Sequence, residues 1–121
     1  MGRGSGLVGV LLAAVIAVGL AIPGASEGHV WRGQYACSHY DFYSGSVLPR
    51  GTLTIVDGDT YRANGSGPRR YSLHVKPDGL HVLNFRTGPY RDYYGQIKPP
   101  SHNVITLWEK GTGNFLWQCD H

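Results

Sequence analysis

The sequence predicts an all-β domain: a small antiparallel meander barrel, or a flattened sandwich, of seven or eight strands, closed by one disulfide and preceded by a helical signal segment. Four observations in the 121 residues predict it. After residue 26 the chain holds two Ala, Ala36 and Ala63, and two Glu, Glu27 and Glu109, so strong helix formers are scarce. The same part carries 12 of the 18 Gly and 6 of the 7 Pro, and its longest stretch free of both is Gln34–Ser44. Between these breakers lie short segments rich in Val, Ile, Thr, Tyr and Trp that alternate in polarity. Its two cysteines, Cys37 and Cys119, stand near opposite ends of that part. The composition excludes a coiled coil, a helical bundle, a multidomain enzyme and a long disordered tail.

Residues 1–26 read as a secretory signal and residues 27–121 as a single β domain. Arg3 charges the start, Leu7–Ile22 runs sixteen residues without a charge, and Pro23-Gly24-Ala25-Ser26 is small and helix-breaking. Gly24 and Ser26 suit the −3 and −1 positions of a cut after Ser26; a cut after Ala25 is the alternative. An uncleaved anchor, with the β domain outside a single membrane span, is the competing reading. Sixteen residues fall short of the roughly 20 that cross a bilayer core. The localisation expected is therefore secreted or periplasmic. In such an oxidising compartment an even cysteine count favours a structural bridge. A redox or metal pair is the other reading, but the chain has no C-x-x-C and two lone thiols make a poor zinc site.

The strands follow in order. Trp31, Tyr35 and Cys37 share a face of the first. Leu53 and Ile55 share a face of Thr52–Val56, Asp57-Gly58-Asp59 turns, and Thr60–Ala63 resumes until Asn64-Gly65-Ser66-Gly67-Pro68. The clearest hairpin joins Arg70–Lys76 to Leu80–Arg86 through Lys76-Pro77-Asp78-Gly79, a type I turn. Opposing Tyr71 to Phe85, Leu73 to Leu83 and Val75 to His81 puts the large apolar residues on one face, and a one-residue slip spoils it. Asp92–Ile97, Val104–Glu109 and Phe115–Cys119 complete the set, with Phe115, Trp117 and Cys119 on one face. The disulfide brings the first and last strands together, and closure removes the exposed edges.

The series Gly33-x-Tyr35-x-Cys37, Leu53-x-Ile55 ahead of Asp57-Gly58 and Tyr61, then Tyr71, a Pro-Asp-Gly turn, Phe85, Thr87-Gly88-Pro89-Tyr90, Gly95 and a closing cysteine resembles a loose family of small exported bacterial proteins. The resemblance runs from Trp31 to Cys119 and implies a fold and a compartment, with no activity attached. Trp31 ahead of the first strand also resembles the lipocalin-like barrels, in which a tryptophan closes the barrel floor; their Gly-x-Trp order is not reproduced.

Little in the chain points to catalysis. The six histidines, His29, His39, His74, His81, His102 and His121, show neither H-x-H nor H-x-x-x-H spacing. His74 and His81 fall on opposite faces of the hairpin, whereas His29 and His121 are brought near each other by the disulfide. His39 and Asp41 are two apart and suit acid–base work, yet no Gly-x-Ser-x-Gly elbow accompanies them. Asp57-Gly58-Asp59 begins like a calcium loop, but Pro68 stands where the bidentate Glu belongs. Asn64-Gly65-Ser66 is a glycosylation sequon, meaningful in a eukaryotic secretory pathway. No cofactor and no metal are expected.

The strongest surface signal is aromatic and basic. Tyr40, Phe42 and Tyr43 cluster in Ser38–Gly45, and Tyr90, Tyr93 and Tyr94 cluster with Arg86 and Arg91. Consecutive residues of a strand point opposite ways, so these rings cannot all enter a core. Tyr and Arg are enriched at binding surfaces; packing of tyrosines against the outside of a thin barrel is the plainer reading. Ten Lys and Arg against eight Asp and Glu after residue 26 leave no nucleic-acid footprint. The function expected is an exported, non-catalytic binding module, possible inhibitors included, for an extracellular protein or glycan. Tyr40, Tyr43, Arg86, Tyr90, Arg91, Tyr93 and Tyr94 would form its contact surface. The alternatives are a lipocalin-like carrier of a small apolar ligand and a small hydrolase built on His39 and Asp41.

Overall fold

The strands form where alternation and turn chemistry agree, and they close on themselves. The computed structural model describes His29–His121; the signal segment and cut expected from the sequence lie outside the described residues. The eight strands are β1 (Gly33–Asp41), β2 (Ser46–Ile55), β3 (Thr60–Ala63), β4 (Arg69–Val75), β5 (His81–Phe85), β6 (Tyr93–Ile97), β7 (Val104–Glu109) and β8 (Phe115–Asp120). Each pairs antiparallel with the next, and β8 returns to β1, giving a closed barrel in sequence order.

The β4–β5 hairpin has the register its apolar pattern demands: Tyr71 faces Phe85, Leu73 faces Leu83 and Val75 faces His81. Its turn is held by the Gly79 N–H donating to the Lys76 carbonyl at 2.8 Å. His81 is buried inside and His74 is exposed, on opposite faces as expected.

The barrel interior is filled. Tyr35, Leu53, Ile55, Tyr61, Leu83, Phe85, Ile97, Ile105, Leu107 and Cys119 are all essentially inaccessible to solvent. Their alternation with outward residues is the period-2 pattern of a strand with one buried face. Three buried phenols reach backbone carbonyls: Tyr35 donates to Trp31, Tyr61 to Thr87 and Tyr71 to Asp57, each at 2.7 Å. These bonds satisfy the one polar atom each ring carries inward, so the rings cost little to bury.

The closing seam is narrow. β1 and β2 pair at eight positions, but β1 and β8 pair at three, Ala36 with Asp120, Cys37 with Cys119 and Ser38 with Gln118. The Cys37–Cys119 disulfide sits at the centre of that seam, and the described residues contain no free cysteine. The seam between β3 and β4 is thinner still, with two paired positions and an exposed Arg70–Asp59 ion pair at 2.6 Å; such a pair contributes roughly 0–1 kcal/mol.

Three expectations need correction. First, the first strand runs on to Asp41 and its partner begins at Ser46, so Thr52 is mid-strand. Pro49 and Gly51 do not end a strand. Arg50 and Gly51 form a bulge opposite Cys37, between the pairs Ala36–Thr52 and Ser38–Pro49, with Gly51 at φ +87°. Second, Trp31 precedes the strand and is partly exposed. Third, Phe115 does not share the inner face with Trp117 and Cys119. The register shifts between Leu107–Trp117 and Trp108–Phe115, which turns Phe115 outward onto Trp108, ring centroids 5.3 Å apart.

The bulge at Gly51 has a testable consequence. A Cβ there would lie 1.8 Å from Asn64 Oδ1, which accepts the Thr52 N–H at 2.9 Å. The sequon asparagine is thus a backbone cap, itself at φ 54°. Gly51→Ala combines left-handed strain with displacement of that cap and should lower unfolding free energy by roughly 1–3 kcal/mol. A chemical denaturation midpoint equal to wild type would remove the bulge from the description.

Candidate functional site

Antiparallel topology sorts the connections between two ends of the barrel. Segments 42–45, 64–68, 86–92 and 110–114 lie at one end; segments 29–32, 56–59, 76–80 and 98–103, with His121, lie at the other. The first is called the arm end, because β1 and β2 extend there as a two-stranded arm beyond the bulge. The second is the floor.

At the arm end the outward rings form a belt across neighbouring strands. Tyr94 on β6 faces Trp108 on β7 as a direct cross-strand pair, the rings 12° from parallel with centroids 6.4 Å apart. Trp108 meets Phe115 on β8. Phe115 shares a cleft with Tyr40 on β1 and Val47 on β2, and Tyr40 meets Phe42 edge-on at 4.9 Å. Cross-strand aromatic pairs of this kind contribute roughly 0.2–1 kcal/mol each. The rings toward the arm remain open to water: Phe42 is 86% exposed and Tyr43 fully exposed. Single exposed apolar residues need no explanation, but Tyr40, Phe42, Val47 and Phe115 are exposed close together.

The arm tip is tied by Asp41, whose carboxylate accepts the Tyr43 N–H at 3.0 Å and the Ser44 hydroxyl at 2.8 Å. The Ser44 hydroxyl first, and then the Tyr43 N–H, hold the Asp41 carboxyl below its ordinary value of 3.8. A carboxyl whose folded value is depressed contributes stability above that ordinary value and loses it as pH falls through the folded one. The Tyr43 and Ser44 amide resonances should therefore shift together with a midpoint below pH 3.8. In Asp41→Asn that titration should vanish; its persistence would assign the tip to some other group.

The seven residues expected at the contact surface are divided by the fold. Tyr40, Tyr43 and Tyr94 lie on the outside. Arg86 and Arg91 are exposed at the arm end, and no hydrogen bond or cation–π contact joins either side chain to the belt rings among the described residues. Tyr90 is a core residue, 5% exposed, packed on Tyr61, Phe85 and Tyr93 with centroids 5.4–5.7 Å away. Tyr93 is half-buried against the core and meets Trp117 edge-on. Tyr93 faces inward with Gly95 and Ile97 by strand alternation, and Tyr90 turns inward because the 86–92 loop folds back over the barrel mouth. The Lys110 ammonium holds it there, donating to the Phe85 and Arg91 carbonyls at 3.1 and 2.7 Å.

The belt residues Trp108 and Phe115 were not expected at the surface. Phe115 is revealed by the bulge alone. Trp108 was legible: alternation from Ile105 and Leu107, the inward residues of β7, sends it outward.

The floor gathers four of the six histidines around Trp31. Its ring lies parallel to His102 at 5.9 Å and edge-on to His121 at 5.8 Å, and His102 in turn neighbours His29 and His81. His81 donates from Nδ1 to the Gly79 carbonyl and His121 from Nε2 to the Arg32 carbonyl, both at 2.8 Å. An open cleft of about 520 Å³ borders this cluster, lined by His29, Trp31, Arg32, Tyr71, Leu73 and His121 among others. No group of three or more His, Cys, Asp or Glu converges on a point among the described residues.

His39 and Asp41 both serve the backbone. His39 donates from Nδ1 to the Leu116 carbonyl at 3.0 Å, and Asp41 ties the arm tip. Comparisons of the chain with protein-family models, with curated proteins and with solved structures give no match. No described helix is long and apolar enough to cross a membrane.

Proposed function

We propose that the protein is an exported, non-catalytic binding module whose contact surface is the aromatic belt outside the arm end. The observation that carries this reading is the set of outward rings on neighbouring strands: Tyr94, Trp108 and Phe115 in contact across β6, β7 and β8, and Tyr40 and Phe42 in contact across the cleft from Phe115. The centre of the barrel is occupied by side chains, which weighs against a carrier of a ligand held inside. The engagement of His39 and Asp41 in backbone bonds weighs against a hydrolase. A single intramolecular disulfide is consistent with an extracellular or periplasmic location. Rigid rings on a stapled barrel lose little freedom on binding, which favours recognition without rearrangement. The partner is a protein or a glycan met outside the cytoplasm.

The test is retention of the 27–121 domain on extracellular material. Wild type should be retained, and the triple variant Tyr40→Ala, Phe42→Ala, Phe115→Ala should not. Equal retention of the two would remove the belt as the contact surface. Phe42 and Tyr40 lie on the arm and Phe115 is half-exposed, so near-wild-type denaturation midpoints are expected as the folding control.

A further inference from the structure

Between the arm and β8 the belt opens into a cleft of about 200 Å³, lined by Ser38, Tyr40, Val47, Phe115 and Gln118. Its chemistry is specific. Two rings and an aliphatic side chain supply apolar walls; a hydroxyl and a primary amide supply hydrogen-bonding groups; none of the five lining side chains carries a charge. The Gln118 amide is oriented, because its Nε2 donates to both Asp120 carboxylate oxygens at 3.2 and 3.4 Å. Its carbonyl Oε1 has no intramolecular donor among the described residues, which leaves it to accept from outside. The volume is below the ~300–1,000 Å³ of sites that engulf a whole small molecule, so the cleft takes one ring-sized group of something larger. The belt continues from it on both sides, over β1 and onto β7 and β6. Three inter-strand steps of ~4.8 Å make a track about 14 Å wide across the strands.

We infer that this cleft is a subsite for one pyranose ring of an uncharged glycan, with Trp108 and Tyr94 stacking the next rings along the chain. The inference rests on the reading of the belt as the contact surface and names what the belt takes. A hexopyranose presents an apolar C–H face and a rim of hydroxyls. The face lies against Phe115 and Tyr40; the rim donates to Gln118 Oε1 and exchanges hydrogen bonds with the Ser38 and Tyr40 hydroxyls. A protein loop of mixed charge finds no countercharge in the cleft, whereas an uncharged polyol loses nothing by that. A polymer fits better than a free sugar, because successive rings gain from a preformed track without new ordering cost.

The probes are cellohexaose and chitohexaose in solution, and cellulose and chitin as solids, with the 27–121 domain. At least one hexasaccharide should bind, and more tightly than its disaccharide. Phe115→Ala should weaken that binding at least about tenfold and Gln118→Ala several-fold, while His29→Ala at the floor leaves it unchanged. Gln118 is exposed, so its variant keeps the fold even if Phe115→Ala does not. Binding that survives both changes would overturn the assignment of the cleft. Absence of binding to every glycan probe, with belt variants still losing retention on extracellular protein, would overturn the glycan and keep the belt.

Discussion

The double variant Cys37→Ser, Cys119→Ser should lose about 2–5 kcal/mol of stability and open the barrel along one seam. The bridge joins residues 82 apart in sequence, so it removes much of the freedom of the unfolded chain. It also crosses a seam of three paired positions, where β1 is otherwise held mainly by β2. Domains of this size have about 5–15 kcal/mol in total, and a loss near the upper figure leaves little. Hydrogen exchange should localise the effect. The amides of Ala36–Ser38 and Gln118–Asp120 should lose protection first, while the β4–β5 hairpin retains it. Freed edges pair readily with other chains, so the variant should also self-associate on warming. Unchanged stability and uniform exchange would mean that the seam is held without sulfur.

Tyr90→Ala should cost about 3–5 kcal/mol, the range for truncating a large buried ring, whereas Tyr90→Phe should change stability by less than ~0.5 kcal/mol. The contrast follows from what the ring touches. Its edges and faces meet Tyr61, Phe85 and Tyr93, and its backbone N–H donates to the Tyr61 hydroxyl at 3.1 Å. Its own hydroxyl is buried and has no hydrogen-bond partner among the described residues. Removing an oxygen that makes no bond loses nothing; removing the ring leaves a cavity. Burial first, and then the neighbouring Tyr61 and Tyr93, push the Tyr90 phenol up to about 12. Burial does the same to Tyr35, and for Tyr71 the nearby Asp57 and Asp59 add to it. An acid whose folded value is raised contributes stability below its ordinary value of 10.0 and loses it as pH climbs toward 12. Alkaline unfolding should therefore accompany the late rise of phenolate absorbance. Tyr43→Ala, at a fully exposed position, should lie within ±0.5 kcal/mol of wild type. Equal effects at Tyr43 and Tyr90 would place both rings in the same environment and contradict the fold.

How much of this was legible in the sequence depends on whether a feature obeyed period two. Leu53, Ile55, Tyr71, Leu83 and Phe85 each fell on the face alternation assigned, and the Pro-Asp-Gly turn fixed the register of its hairpin. The two bulges broke the count. Gly51 carries the extra residue of β2 and Leu116 that of β8; each shifts the strand beyond it by one, and nothing local distinguishes an extra residue from a strand end. The inward turn of Tyr90 was hidden for another reason. It lies in a loop, where alternation gives no rule, and a distant lysine, Lys110, holds that loop down. Of the floor histidines, His29 and His121 were placed at one end by the disulfide, whereas their meeting with His81 and His102 was out of reach because it depends on closure of the whole barrel.

In the proposed function the contact surface is the outside of a filled barrel, at the arm end. The three tryptophans report on it in one spectrum: Trp31 at the floor, Trp108 on the belt with its indole N–H bonded to Thr106 at 2.9 Å, and Trp117 packed against the core. Titration of the ¹⁵N-labelled domain with cellohexaose or chitohexaose should move the Trp108 indole resonance and the amides of Tyr40, Phe115 and Gln118, leaving Trp31 in place. Movement of Trp31 and the residues lining the floor cleft, with Trp108 still, would contradict it.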